Sequence, residues 1–474
     1  MACRRSFSVS APLGSDECPL RVAIIGAGPA GFYAAEALLK QPGLAVHIDF
    51  INRLPTPYGL VREGVAPDHQ SIKSVTRVYA KLAAGTTVRY FGNVTFGHDL
   101  THEEIKARYD QIIYAVGAQS DRRMNIPGED LVGSQPATQF VGWYNGHPDY
   151  PDLVFDLSHE RVVVVGNGNV AMDVARILLT DPDELAKTDI ADHALTALRA
   201  SRVREVVMLG RRGPAQAAFT NPELKEFAAI PDLDVLVTAA ELELDPLSAA
   251  SLVGDKISAR NVELLRGYAA KPLTNAPKRF VMRFFYSPVE VLGTNGYVTG
   301  LKIERNTLVQ APNGDLRPQG TGVFETLTCG MVIRSVGYRS VPLPGVPYNH
   351  TIGLIPNVAG RVVQQENGEP VLGEYVVGWA KRGPSGVIGT NKPDAAATVV
   401  AMLEDLPHLP AAPSLDERDI LDLLHKREVA YVTYADWRLL DTHEIALGAA
   451  QGRPRVKVTR LAEMLAVIRQ ARNG

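Results

Sequence analysis

Short apolar runs that stop at glycines punctuate this chain, and between them the hydrophobic spacing switches to the helical period. Leu20, Val22, Ile24 and Ile25 read as a buried strand, and Phe32 to Lys40 as the helix that follows. Val46 to Ile51 is a second strand, Ser71 to Ala83 a helix, and Thr87 to Phe91 with Asn93 to Phe96 two further strands. Tyr109 to Ala118 is a buried strand ending in a glycine turn at Gly117. The pattern restarts with a strand at Arg161 to Val165, a helix at Met172 to Leu179 and a strand at Glu205 to Leu209. Asp130 to Pro151 reads as a connector and Thr180 to Arg202 as an irregular insertion. Asp232 to Leu301 alternates short strands with polar turns, with Phe280 to Tyr286 and Gly296 to Ile303 expected to be antiparallel. Met331 to Tyr338 repeats the strand-then-glycine pattern and is expected to return the chain to its first unit. A last strand at Tyr375 leads to a helix from about Pro393 to Glu404. Residues 406–474 begin Pro-rich and continue as two or three amphipathic helices around Trp437. Strands alternating with helices predict an α/β protein with parallel sheets.

Two of the strand–helix junctions carry chemistry. The first is Leu20 to Gly31, where Gly26-Ala27-Gly28-Pro29-Ala30-Gly31 joins strand to helix. In this G-x-G-x-x-G context Gly26 permits the tight turn, Gly28 lets backbone approach a pyrophosphate, and Gly31 lets helix and strand pack closely. The helix N-terminus then offers unpaired N–H groups to phosphate. An acidic residue normally ends the second strand of such a unit and binds ribose; Asn52 stands there, able to hydrogen-bond a hydroxyl but without charge assistance. The second junction is Gly166-Asn167-Gly168-Asn169-Val170-Ala171, with Ala171 in the third glycine's place. One such turn can be merely structural, whereas two in one chain point to two dinucleotides. At the end of the second unit's next strand, Arg211 and Arg212 replace the acid of an NAD site. Paired guanidiniums suit the 2′-phosphate of NADP, with a solvated basic turn as the plainer alternative.

The loop Leu54 to His69 holds three prolines and two glycines and is expected to be rigid. His69 at its end reads, from the residues alone, as an ordinary loop histidine. Glu223 and Glu226 share one face of a short helix. The late motif Tyr375 to Ala395 is glycine-rich and carries Lys381, Arg382 and Lys392, so a basic turn ahead of a helix is expected.

Composition narrows the function. At 474 residues, 46% hydrophobic and 21% charged, the chain suits two or three soluble domains. A net charge of −3 gives no reason to expect nucleic acid, and no apolar run is long enough for a membrane span. Cys3, Cys18 and Cys329 form no C-x-x-C pair, which argues against a disulfide framework, an iron–sulfur cluster of its own and a dithiol redox site. Residues 1–19 lack the apolar core of a secretory signal and are expected to be a disordered extension of a cytoplasmic protein.

With these motifs in place the chain, from about Leu20 onward, resembles the adrenodoxin-reductase-like ferredoxin–NADP reductases. The resemblance rests on LPTPYGLVREGVAPDH (Leu54–His69), GNGNVAMDVARIL (Gly166–Leu178), GRRGPAQAAFT (Gly210–Thr220) and WAKRGPSGVIGTNKPDA (Trp379–Ala395). It implies two Rossmann-like domains, the NADP domain inserted into the FAD domain: 20–120 and 336–474 for FAD, 121–335 for NADP. It implies FAD on Gly26, Ala27, Gly28, Pro29, Ala30, Asn52, Leu60, Val94, Trp379, Gly386, Val387 and Ile388. NADP(H) is implied on Asn167, Gly168, Asn169, Val170, Arg211, Arg212 and Glu223, with the Gly386 region near the nicotinamide. His69 and Glu226 would face each other beside the flavin as the catalytic pair. Asn52 departs from the family's usual Glu, whereas Trp379 after Gly378 agrees with it. The implied activity is hydride transfer from NADPH to FAD, then single electrons to a ferredoxin, with no metal needed. The implied partner is a ferredoxin alone, without integral membrane association, and the chain is expected to be a monomer or weak dimer. A dithiol reductase would need a cysteine pair that the chain lacks. A flavin monooxygenase and an electron-input subunit of a larger complex are the remaining alternatives.

Overall fold

The structure, a computed structural model, describes residues 11–365, 368–409 and 419–473. Residues 1–10 of the expected tail and 410–418 of the Pro-rich link lie outside the described residues.

Two parallel sheets organise the chain. In the first, strands lie in the order Asn357–Val358, Arg361–Val363, Pro370–Val376, Gln111–Tyr114, Leu20–Ile25, Val46–Asn52, Val88–Gly92. The last five are mutually parallel, and the two at the far edge turn antiparallel. In the second, the order is Ser134–Pro136, Met331–Arg334, Arg161–Val165, Glu205–Gly210, Lys278–Phe284, Leu233–Val237, parallel throughout. Val22, Ile24, Ile48, Phe50 and Ile113 are buried in one sheet and Val162 to Val164, Val206 and Met282 in the other. Both faces of each sheet are covered, one face of the second by an antiparallel three-stranded layer that includes Val291, Val298, Leu301 and Ile303, so these strands read as continuous apolar runs rather than alternating ones.

The chain leaves the first sheet after Tyr114 and comes back after Arg334. The outgoing and returning segments pair with each other, Ser120–Asp121 against Tyr338–Arg339, antiparallel. The strand Met331–Arg334 therefore lies inside the second sheet, and the return begins just beyond it.

Several expectations need correction. Residues 11–19 are not disordered: Ser15 bridges Cys18, Ala45 N–H donates to Gly14 O at 2.7 Å, and Leu13 packs on the first core. Asn93 to Phe96 is not a strand, because Asn93 adopts φ +57° and ends the ladder at Gly92. Phe280 to Tyr286 splits. Lys278–Phe284 is a parallel strand, Phe285 swings out at φ +64°, and the antiparallel layer is Tyr286–Thr294, Tyr297–Gln310 and Leu316–Thr328. The stretch read as short strands contains the helix Lys256–Ala269, capped by Asp255, whose Oδ1 accepts from Ile257 N and Ser258 N. Its buried Asn261, Val262, Leu265 and Tyr268 fall on one face. The connector Asp130 to Pro151 contains the helix Ala137–Asn145, and Thr180 to Arg202 contains Pro182–Leu185 and Asp192–Arg199.

The helices after the link, Asp419–Lys426, Tyr434–Ala449 and Leu461–Asn473, match expectation. Trp437, Leu440, Met464 and Ile468 from the last two join the first core. Between those two helices a strap crosses to the second lobe. Arg453 donates to Thr188 O, Ile190 O and Asp192, while Lys457 Nζ reaches Arg62 O at 3.0 Å, Asn145 O at 2.9 Å and Asp189 at 3.4 Å. Among the described residues no helix is long and apolar enough to cross a membrane.

Candidate functional site

Both glycine turns leave the carboxyl edge of their sheets, where ligands bind in open α/β folds. In the first sheet Ile25 lies level with Ile51 and Tyr114; in the second Val165 lies level with Leu209 and Arg334. The two turns use the same device. Gly26 has φ +104°, and a Cβ there would sit 2.7 Å from Ala115 O; Gly166 has φ +125°, and a Cβ there would sit 2.1 Å from Ser335 O. Each carbonyl belongs to the residue following the neighbouring strand, so only glycine lets the chain turn onto its helix.

The first helix, Pro29–Leu39, has Gly28 at its cap, no side-chain cap and no acid in its first turn. Its leading N–H groups are thus left for an anion. The Pro-rich loop folds against this turn: Tyr58 N–H donates to Ala27 O at 2.7 Å, and the short helix Leu60–Glu63 follows with Leu60 exposed. Asn52 is held inside this junction. Its Oδ1 accepts from Ala27 N–H at 3.1 Å, and its Nδ2 donates to Leu54 O at 2.8 Å and Thr56 O at 3.1 Å, with Tyr90 Oη at 3.3 Å. Val94 is fully buried and its N–H donates to Asn52 O at 3.0 Å.

The second helix, Asn169–Leu179, likewise starts at an uncapped glycine, Gly168, with open space where a Cβ would stand. Asn169 Oδ1 accepts from Thr220 N–H at 2.9 Å, tying this turn to the segment after the arginines. Asn167 packs against Gly210, and Val170 is partly buried on the second core. Arg211 and Arg212 follow the strand Glu205–Gly210, and neither guanidinium is bonded to a carboxylate among the described residues. Burial and the neighbouring Arg211 charge pull Arg212 below its ordinary pKa, more than the charge of Asp315 offsets. These residues fit a phosphate dianion.

Between the cradles the loop ending at His69 meets the helix Asn221–Glu226. His69 Nε2 lies 3.1 and 3.0 Å from the two Glu226 oxygens. Behind them Arg176, buried, binds four carboxylates: Asp68 at 2.7 and 3.0 Å, Asp173 at 2.7 Å, Glu223 at 3.2 Å and Glu226 at 3.0 Å. Burial pulls the His69 imidazole down, but Glu226, Asp173 and Asp68 together leave it above its ordinary value. Burial lifts Asp68, and the bidentate guanidinium more than offsets it, leaving Asp68 low. Asp173 is held high, chiefly by burial. Glu223 is pushed up to about 7 by burial and by Asp173. His69, Asp173 and Glu223 bring ligand atoms within 4.8 Å of one another, and the Arg176 guanidinium already supplies the positive charge there.

The late motif is less basic than its composition suggests. Asp394 Oδ1 pairs Lys381 Nζ at 3.0 Å, Asp394 Oδ2 accepts from Gly378 N–H at 2.7 Å, and Lys392 leans on Glu36 at 3.5 Å. Trp379 stacks parallel on Tyr338 at 6.1 Å, with Gly386 and Val387 exposed and Ile388 partly covered beside it.

Residues 20–220 match the pyridine nucleotide-disulphide oxidoreductase family. Over 95% of its length the chain is 48% identical to NADPH-ferredoxin reductase FprA of Mycobacterium tuberculosis, covering 99% of that protein. The chain belongs to the NADPH-ferredoxin reductase family. Within that family it is also 41% identical to the mitochondrial NADPH:adrenodoxin oxidoreductase of Arabidopsis thaliana, over 94% of this chain and 95% of that one. A solved structure of Mycobacterium tuberculosis FprA in complex with NADPH superposes with a TM-score of 0.89, at 48% identity, covering 95% of this chain and 99% of that one. The disulphide in the matched family's description has no counterpart among the described residues: Cys18 and Cys329 are both free, and burial pushes the Cys329 thiol up to about 12.

The structure thus brings together His69, Glu226 and Glu223, and it sets the two glycine turns at equivalent edges of two sheets. Arg176, Asp68 and Asp173 escaped the sequence reading. Asp173 and Arg176, three apart in the helix after the second turn, were the available signal for an ion pair facing back toward the loop.

Proposed function

We propose that the chain is an NADPH-dependent flavoprotein reductase that passes electrons through FAD to a ferredoxin-type iron–sulfur protein. The supporting observation is the pairing of two phosphate cradles across one seam, the second opening on two guanidiniums that bond no carboxylate among the described residues. When bound, the nicotinamide supplies a hydride and the flavin converts that electron pair into single-electron steps.

The chain's own residues hold and orient. Gly26 to Ala30 carry the FAD pyrophosphate on uncapped helix N–H groups, Leu60 and Trp379 flank the flavin end, and Val94 offers backbone to the adenine end. Asn167 to Val170 carry the NADP pyrophosphate, Arg211 and Arg212 grip the 2′-phosphate, and Gly386 to Ile388 leave backbone open beside the nicotinamide. Glu223 lines the same side. His69 and Glu226 close the seam and keep a proton between imidazole Nε2 and carboxylate, with Arg176 fixing the carboxylate. Fixed positioning of this kind accounts for most of what a protein adds to cofactor chemistry. The FAD domain is assigned to 20–120 with 336–474 and the NADP domain to 121–335. The chain is taken as a cytoplasmic monomer or weak dimer, and a basic patch would steer an acidic ferredoxin, so that the rate falls with salt.

The test is an anaerobic titration of the flavin-loaded protein with NADPH, followed by a [2Fe–2S] ferredoxin. Bleaching of the flavin band, then reoxidation as the ferredoxin is reduced, is expected. No bleaching would overturn the NADPH reading, and bleaching without ferredoxin reduction would overturn the acceptor.

A further inference from the structure

The end of the second strand of an FAD-type unit is where a ribose-binding acid is expected, and Asn52 stands there with its amide turned inward. An amide can accept and donate at once, and this junction asks for both. One oxygen meets the Ala27 N–H of the glycine turn at 3.1 Å, and one NH2 group meets the carbonyls of Leu54 at 2.8 Å and Thr56 at 3.1 Å. Tyr90, buried on the third strand, closes the set: its hydroxyl donates to Leu54 O at 3.1 Å and lies 3.3 Å from Asn52 Nδ2. A carboxylate at position 52 could take the Ala27 bond, but it has no hydrogen to give two carbonyls and would face them as a like-charged neighbour.

We propose that Asn52 is a positioning residue: it clamps the first glycine turn to the loop Leu54–Gly59, and it does not bind the adenosine ribose. The inference rests on the FAD reading above. It reverses the effect of restoring an acid. If position 52 served the ribose, a carboxylate would tighten FAD through a charge-assisted bond. As a clamp, the carboxylate loosens FAD by releasing the loop from the turn that carries the pyrophosphate.

The experiment measures FAD release from the purified holoprotein by the rise in free-flavin fluorescence, for wild type, Asn52→Asp and Tyr90→Phe, from pH 8 to pH 5. Asn52→Asp is expected to release FAD at least about tenfold faster at pH 8. It should slow toward wild type at pH 5, because burial beside two carbonyls raises the carboxyl's pKa and the protonated form regains one donor for the loop carbonyls. Tyr90→Phe, at a buried site that no ribose can reach, is expected to speed release a few-fold without that pH dependence. Asn52→Asp holding FAD as tightly as wild type, or more tightly, overturns the proposal. If Asn52→Asp does not fold, unchanged release from Tyr90→Phe overturns it. A wild-type protein that takes up no FAD would instead sink the cofactor reading and would show in the first sample.

Discussion

At the scale of single residues, unsatisfied charge is the informative quantity. Arg211 and Arg212 sit at a strand end with no carboxylate among the described residues bonded to them, and a charge-assisted bond to phosphate contributes about 1.5–3 kcal/mol. Replacing both with Ala should raise the NADPH Michaelis constant roughly a hundredfold, the equivalent of about 3 kcal/mol, and leave that for NADH nearly unchanged. Steady-state kinetics with the two nucleotides decides it, and an equal rise in both would remove the 2′-phosphate assignment. Glu223 makes a second prediction. Its pKa is raised from the ordinary 4.5 to about 7, so between those values the folded protein binds more protons than the unfolded chain. Stability attributable to Glu223 therefore falls as pH rises from about 4.5 to 7 and is flat above. Glu223→Gln should gain on wild type across that window in denaturant melts; a constant difference from pH 5 to pH 8 would refute it. Arg211 and Arg212 stand out from their place after the second glycine unit's next strand, whereas His69 reads from the residues alone as an ordinary loop histidine, and only the resemblance pairs it with Glu226, which the fold places 3.0 Å away. Asn52 was legible as a position but not in its role, since a side chain's direction depends on which carbonyls the fold places around it.

At the scale of elements, the strand–turn–helix units were read almost to the residue, because burial on both faces leaves an apolar run that glycine ends. The helix Ala137–Asn145 was read as a connector: Phe140, Trp143 and Tyr144 are all buried, and a helix with little polar face shows no period to detect. The helix Lys256–Ala269 lies in a stretch whose polar turns read as breaks between strands, and its Asp255 cap emerges only in the fold. The clearest element-level test concerns Asp189, which follows the helix Pro182–Leu185. It is buried, with Lys73 Nζ at 2.7 Å and Lys457 Nζ at 3.4 Å. Asp189→Asn would leave two buried ammonium groups without their anion and is expected to cost about 3–5 kcal/mol. Chemical denaturation should show the loss as a lower midpoint. A change under about 1 kcal/mol, the size expected of a surface pair, would mean that water reaches this site in solution.

At the scale of the whole molecule, contacts that join the two lobes include the paired segments at Ser120–Asp121 and Tyr338–Arg339, the His69–Glu226 and Asp68–Arg176 contacts, the Lys73–Asp189 pair, and the strap carrying Arg453 and Lys457. The return of the chain toward its first sheet was legible in the strand-then-glycine repeat at Met331 to Tyr338, though that strand lies in the second sheet, whereas the strap was not. Its residues read as an ordinary polar link until folding places Asn145 and Asp189 opposite them. The strap sets side chains from the end of the chain among buried groups of residues 121–335. Chimeras that exchange residues 121–335 between relatives will therefore inherit a buried acid from one parent and the lysine that answers it from the other. The crossover points that work will be those that keep Asp189 and Lys457 from the same ancestor.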